Sequence, residues 1–170
     1  MKRNILISAA GVACLIAYAA GAGTQNPVDA KDAYAHLQTL VGEWQADTSM
    51  GKAHVTYESI AAGSALVERE TMEHMPPMET IFYLDGGRLL LTHYCDLGNQ
   101  PRLEAHAFDP QSRKLDFAFL DATNLASPAA SHMHNASYRF SDANHFSTRW
   151  ELYENGRQKS VETFEFTRVR

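Results

Sequence analysis

From residue 54 to the C-terminus, apolar and polar positions alternate with a period of two, over 54–60, 65–71, 79–84, 88–95, 102–108, 115–120, 134–140, 145–153 and 159–168. Successive side chains of an extended strand point to opposite faces, so this period predicts strands with one face buried. Turn formers punctuate them: Asp85-Gly86-Gly87, Asp109-Pro110-Gln111-Ser112, Ser141-Asp142-Ala143-Asn144 and the Asn-Gly hairpin signal of Glu154-Asn155-Gly156-Arg157. One segment has helical spacing. Asp29 or Asp32 is placed to cap a helix through about Leu40, with Ala33, Leu37, Leu40 and Val41 on one face. Gly42 ends it and Gly42-Glu43-Trp44 opens a new element. About ten strands joined mostly by tight turns, after a single short helix, predict an all-β fold: a ten-stranded antiparallel up-and-down barrel. A two-sheet sandwich is the competitor, disfavoured because its crossovers need longer connections.

The pattern ahead of the helix is of another kind. Lys2 and Arg3 precede an apolar run from Ile5 to Ala20, followed by small residues at Ala20-Gly21-Ala22. This is the layout of an export signal, with cleavage expected after about Ala19 or Ala22. The run is shorter than the ~20 residues of a membrane span, which disfavours an uncleaved anchor. Cys14 is a poor lipid-anchoring site, because the apolar run continues past it. The expected organisation is therefore a signal over 1–22, a linker over 23–30 and one barrel domain over 31–170, located in the periplasm or secreted, with no integral span after cleavage. Losing Lys2 and Arg3 takes the formal charge from −5 to −7. That scattered acidity argues against nucleic acid and anionic membrane surfaces as partners. Cys95 is then the lone cysteine, expected to be buried, metal-bound or a source of weak dimers of an otherwise monomeric protein.

Two connections, 96–101 and 121–131, carry more polar chemistry than turning requires. His93, Tyr94, Cys95, Asn99, Gln100 and Arg102 fall within ten positions at a strand end. Such groups can converge on a cavity. Asn99, Gln100 and Arg102 suit a carboxylate or phosphate head group, with Pro101 stiffening the approach. Asp121, Asn124 and His134 are expected at the same mouth, Asp121 being equally suited to pair with Arg102. Leu89, Leu91, Phe117 and Phe119 would supply apolar wall. Met72, Met75 and Met78, around His74 and Pro76-Pro77, are placed to cover the barrel mouth or line a pliable entrance.

Gly42-Glu43-Trp44 after a short helix resembles the Gly-x-Trp entry of calycins. The strand end 92–95 (Thr-His-Tyr-Cys), the loop 98–102 (Gly-Asn-Gln-Pro-Arg) and the loop 121–124 (Asp-Ala-Thr-Asn) resemble pieces found in bacterial exported lipocalin-like proteins of unknown function. The resemblance spans the expected mature chain in layout and implies a calycin barrel with Trp44 plugging one end. It implies no assigned chemistry.

His93 and Cys95, two apart on a strand, share a face, and His132 and His134 repeat that geometry. If the two strands met, these four would make a tetrahedral zinc site, possible in some exported calycins and open to hydrolytic chemistry. Haem, by analogy with nitrobindin-like barrels, would need an axial histidine such as His145, whose neighbours do not match. No Gly-x-Ser-x-Gly elbow, phosphate loop or His-Glu-x-x-His motif occurs. A Cys95–His93 nucleophilic pair is awkward, since residues two apart on a strand are about 6–7 Å apart. The expectation is a barrel that binds a small amphipathic or anionic molecule without turning it over. The competing readings are the zinc site and a filled barrel serving as a structural or interaction module.

Overall fold

The computed structural model describes residues 28–48 and 51–169; the expected export signal over 1–22 and most of the expected linker over 23–30 lie outside the described residues. Helix α1 (Ala30–Gln38) leads into β1 (Gly42–Thr48), β2 (Gly51–Ile60), β3 (Ala65–Met72), β4 (Met78–Asp85), β5 (Arg88–Tyr94), β6 (Gln100–Asp109), β7 (Lys114–Thr123), β8 (His132–Phe140), β9 (His145–Glu154) and β10 (Arg157–Arg168). Each strand pairs antiparallel with its chain neighbour, and β1 pairs with β10 to close the barrel. The fold is thus the ten-stranded antiparallel barrel expected from the period of two. The sandwich is excluded. No described helix is long and apolar enough to cross a membrane.

Asp29 caps α1 as expected, its carboxylate accepting from the Lys31 and Asp32 backbone N–H groups at 3.0 and 3.1 Å. The helix buries Ala30, Ala33, Tyr34 and Leu37 against one end of the barrel. Trp44 is 1% exposed there, donating its indole N–H to the Leu40 carbonyl at 2.7 Å and meeting Phe146 edge-on at 4.7 Å. The Arg168 guanidinium lies 4.0 Å over the Trp44 ring and donates to the carbonyls of Thr39, Val41 and Ala143. Arg168 therefore ties the last strand to the end of the helix. The β1–β10 seam itself is short, with Trp44 opposite Arg168 and Gln45 opposite Thr167.

Because the strands alternate in direction, the connections 73–77, 95–99, 124–131 and 155–156 all fall at the end away from α1. This is the mouth. The polar connections are shorter than expected: Gln100 and Pro101 belong to β6, with Pro101 buried, and Asp121 belongs to β7.

Candidate functional site

Strand parity decides which side chains enter the barrel. On β3, Leu66, Glu68, Glu70 and Met72 share the inner face; on β10, Glu162 shares it with Phe164 and Phe166. Four inward residues on adjacent strands stand directly opposite one another: Tyr57 on β2, Glu68 on β3, Thr80 on β4 and His93 on β5. They form one hydrogen-bonded rung. The Glu68 carboxylate accepts from the hydroxyls of Tyr57 at 2.5 Å, Tyr138 at 3.1 Å and Thr80 at 3.2 Å. Thr80 spends its single hydroxyl proton on Glu68, so its oxygen accepts from His93 Nδ1 at 3.0 Å. His93 Nε2 is then a bare acceptor, and it has no partner. The side chain is 4% exposed, with its ring 5.0 Å from Trp150. Burial pulls the His93 pKa down to about 4, against the opposing pull of Asp96, so the ring is neutral.

Burial raises the Glu68 pKa while its three hydroxyl partners oppose the shift. Burial, and then the charges of Glu68, Glu162 and Asp96, raise Glu70 to about 8. Glu162 is raised by burial and by Asp96. Among the described residues no Lys or Arg forms an ion pair with Glu70, Glu162 or Asp96. Beside Glu68 and Glu70 lies a small cavity lined by Val55, Tyr57, Glu68, Glu70, Thr148 and Trp150, with Phe164 and Phe166 completing the wall. Its volume open to the centre of a water-sized sphere is ≈ 10 Å³, room for about one water. Below it Tyr138, Phe82, Phe117, Phe146, Leu91 and Leu103 are fully buried and fill the barrel.

The residues singled out in the sequence separate into three groups. His93 and Cys95 point inward; the thiol is 8% exposed and burial raises its pKa to about 11. Asn99 is 5% exposed, donates to the Ser131 carbonyl at 2.9 Å and leaves its Oδ1 without a partner, the second orphaned buried acceptor at this mouth. The others are turned elsewhere. Tyr94 is 47% exposed. Arg102 and Asp121 face each other across β6 and β7 in a two-pronged ion pair, Nε to Oδ1 at 2.6 Å, on the outer wall. Gln100 accepts from Thr123, and Asn124, in a left-handed conformation at φ 54°, donates to the Gly98 carbonyl. These last groups hold the loops together. Arg102 is therefore no anchor for an anionic head group inside the barrel, because strand parity places it outside.

The four-ligand zinc arrangement does not assemble. Strands β5 and β8 are separated by β6 and β7, and among the described residues no three His, Cys, Asp or Glu side chains gather where they could hold a metal. His132 and His134 instead bond to each other. A register shift between Met133 and Asn135 brings His132 Nε2 to 3.0 Å from His134 Nδ1, while His132 Nδ1 meets the Ala130 carbonyl at 2.8 Å. His134 is stacked between Phe119 and Tyr153 at 4.8 and 4.1 Å. His145, the haem candidate, sits exposed at the helix end and bonds Asp142, outside the barrel.

The sequence reading passed over Glu68, Glu70, Glu162, Thr80 and Trp150. Their signal was present: acidic residues in phase with Leu66 and Met72 on one strand, and with Phe164 and Phe166 on another. A wider groove of about 410 Å³ on the outer wall is bordered by Lys114, Asp116, Arg149 and Glu151, which are already paired with one another. Comparison with known protein families and with curated proteins gave no match, so the geometry stands as the evidence for function.

Proposed function

We propose that this is an exported lipocalin-like protein that binds a small molecule at the inner mouth of its barrel, with His93 as the polar contact. The observation that carries this reading is the unpartnered Nε2 of His93, 4% exposed in the barrel interior. A buried acceptor with no donor costs about 1–3 kcal/mol, and such groups are rare enough in native proteins to require an explanation. A ligand N–H or O–H supplies the missing donor. The expected ligand is amphipathic, its polar end among His93, Trp150 and Glu70 and its apolar part toward Met72, Met75 and Met78, whose flexible side chains can repack around it. The anionic alternative loses its support, since Arg102 is paired on the outer wall.

The filled-barrel reading is favoured by one observation, the ≈ 10 Å³ volume of the interior cavity. Native mass spectrometry of the protein purified from its exporting host separates the two, together with titration of benzyl alcohol followed by Trp150 fluorescence. Binding predicts a dissociable organic mass or a saturable probe response, lost in His93→Phe, whose ring preserves the contact with Trp150. A wild-type protein with neither would establish the filled barrel.

A further inference from the structure

We propose that Asn99 is the second contact of the same ligand, and that the ligand's polar end is an uncharged nitrogen with two N–H donors, one given to His93 Nε2 and the other to Asn99 Oδ1. This deepens the reading above and rests on it. Among the described residues these are the two buried side-chain polar atoms without a hydrogen-bond partner. Strand register sets their residues side by side. The β5–β6 pairing places Thr92 opposite Arg102, and it continues past the ladder, where the Cys95 N–H bonds the Asn99 carbonyl at 3.2 Å. Cys95 therefore stands opposite Asn99, and His93 opposite Pro101. Burial follows the same alternation: His93, Cys95, Asn99 and Pro101 are buried, whereas Tyr94 and Asp96 are exposed. His93 and Asn99 are thus diagonal neighbours on one inner face, a relation that spans about 7–8 Å between backbones.

Both orphaned atoms are acceptors, and in each group the bond on the other side decides this. Asn99 Nδ2 donates to the Ser131 carbonyl at 2.9 Å, so the free atom is the oxygen. His93 Nδ1 donates to Thr80, so Nε2 is a bare lone pair. Their neighbours on this face do not supply the missing donors. Pro101 has no N–H, and the Cys95 thiol donates to Asp96 at 3.4 Å. A ligand hydroxyl has one proton and satisfies one of the two acceptors. An –NH2 nitrogen has two and bridges the pair. Positive charge is disfavoured there, because the burial that pulls His93 down to about 4 outweighs the opposing pull of Asp96 and acts equally on a cation beside it. Asn99 then reads the ligand through its oxygen, while its nitrogen holds the loop 124–131 at the mouth.

The test uses toluene, phenol and aniline, three probes of one shape, uncharged at pH 7, with no, one and two donor hydrogens. They are titrated by calorimetry into the protein purified from its exporting host and into His93→Phe, Asn99→Leu and Asn99→Asp, with thermal melts to verify folding. Both Asn99 variants lose the donor to Ser131, and Asn99→Asp alone keeps an acceptor. The expected wild-type order is toluene, phenol, aniline, with aniline at least about fivefold tighter than phenol, the lower end of what one unsatisfied buried acceptor costs. The aniline preference should vanish in His93→Phe and Asn99→Leu and persist in Asn99→Asp. In crystals of the aniline complex the nitrogen should lie within hydrogen-bond distance of both acceptors; a nitrogen that reaches one alone refutes the bridge. Equal affinity for aniline and phenol with both above toluene, or an aniline preference that survives in folded Asn99→Leu, overturns the two-donor inference and leaves the binding reading intact. Loss of the preference in both folded Asn99 variants assigns Asn99 to holding the loop and overturns the inference as well. Toluene bound as tightly as aniline, or no saturable response to any probe at millimolar concentration, overturns both.

Discussion

Replacing Glu68 by Gln is expected to move a proton on a different residue, His93. The Glu68 carboxylate takes two tyrosine hydroxyls on Oε2 and the Thr80 hydroxyl on Oε1. A glutamine keeps one acceptor oxygen. It will sit on the tyrosine side, because the opposite orientation leaves two buried tyrosine hydroxyls facing an amide nitrogen. The amide N–H then points at Thr80, whose oxygen accepts it. The displaced Thr80 proton has one place to go, His93 Nδ1 at 3.0 Å. Nδ1 becomes an acceptor, and Nε2 must carry the ring proton. The number of hydrogen bonds in the rung is unchanged, so the stability difference should stay within about 1 kcal/mol. Donor-type ligands fare differently. Two facing donors replace a donor–acceptor pair at a site 4% exposed, which forfeits about 1–3 kcal/mol, or roughly 5- to 150-fold in Kd. Long-range ¹H–¹⁵N correlation spectra of the imidazoles, with His93 assigned by its loss in His93→Phe, distinguish the two tautomers directly. A wild-type ring protonated on Nε2, or a variant that still carries its proton on Nδ1, would refute the relay and with it the assignment of a bare lone pair to the site.

Two further outcomes follow from the same geometry. Arg102→Ala removes an exposed ion pair on the outer wall, so chemical denaturation should show a change within about 1 kcal/mol and probe affinity should not move; a tenfold loss of affinity would return Arg102 to the site. Glu70 has its folded pKa raised from 4.5 to about 8, so the native state holds a proton that the unfolded chain releases. Its contribution to stability is therefore fully present below about pH 4.5 and is lost as pH rises toward about 8, and Glu70→Gln should flatten that part of the stability profile. An unchanged slope in the variant assigns the pH dependence to other groups.

The barrel was legible because its information is local. The period of two and the turn signals gave nine of the strands to within a few residues, and the helix cap at Asp29 was visible as a short polar residue before an apolar stripe. The site was only half legible. His93 was found because it is chemically conspicuous, yet its partners Glu68 and Thr80 come from strands β3 and β4 and look ordinary in sequence. Parity would have exposed them, and it would also have placed Arg102 outside, out of phase with buried Leu103 and Ala105. The up-and-down order likewise already sets β5 and β8 three steps apart, against the zinc arrangement. What no local pattern contains is the register shift at His134, which pairs the two histidines, or the way Asn99 reaches Ser131 across 32 positions.

The seam between β1 and β10 has a consequence for the chain before it is finished. Every other strand finds its partner in the segment just made, whereas β1 waits for the last twelve-residue strand, with Arg168 as the clasp. Until then β1 and β9 are open edges with unpaired backbone groups, and edges of that kind invite pairing with another copy. Closure joins residues more than 120 apart, the slowest kind of contact to form. The interval between emergence of β1 and docking of Arg168 is thus the period in which this protein is most open to strand exchange.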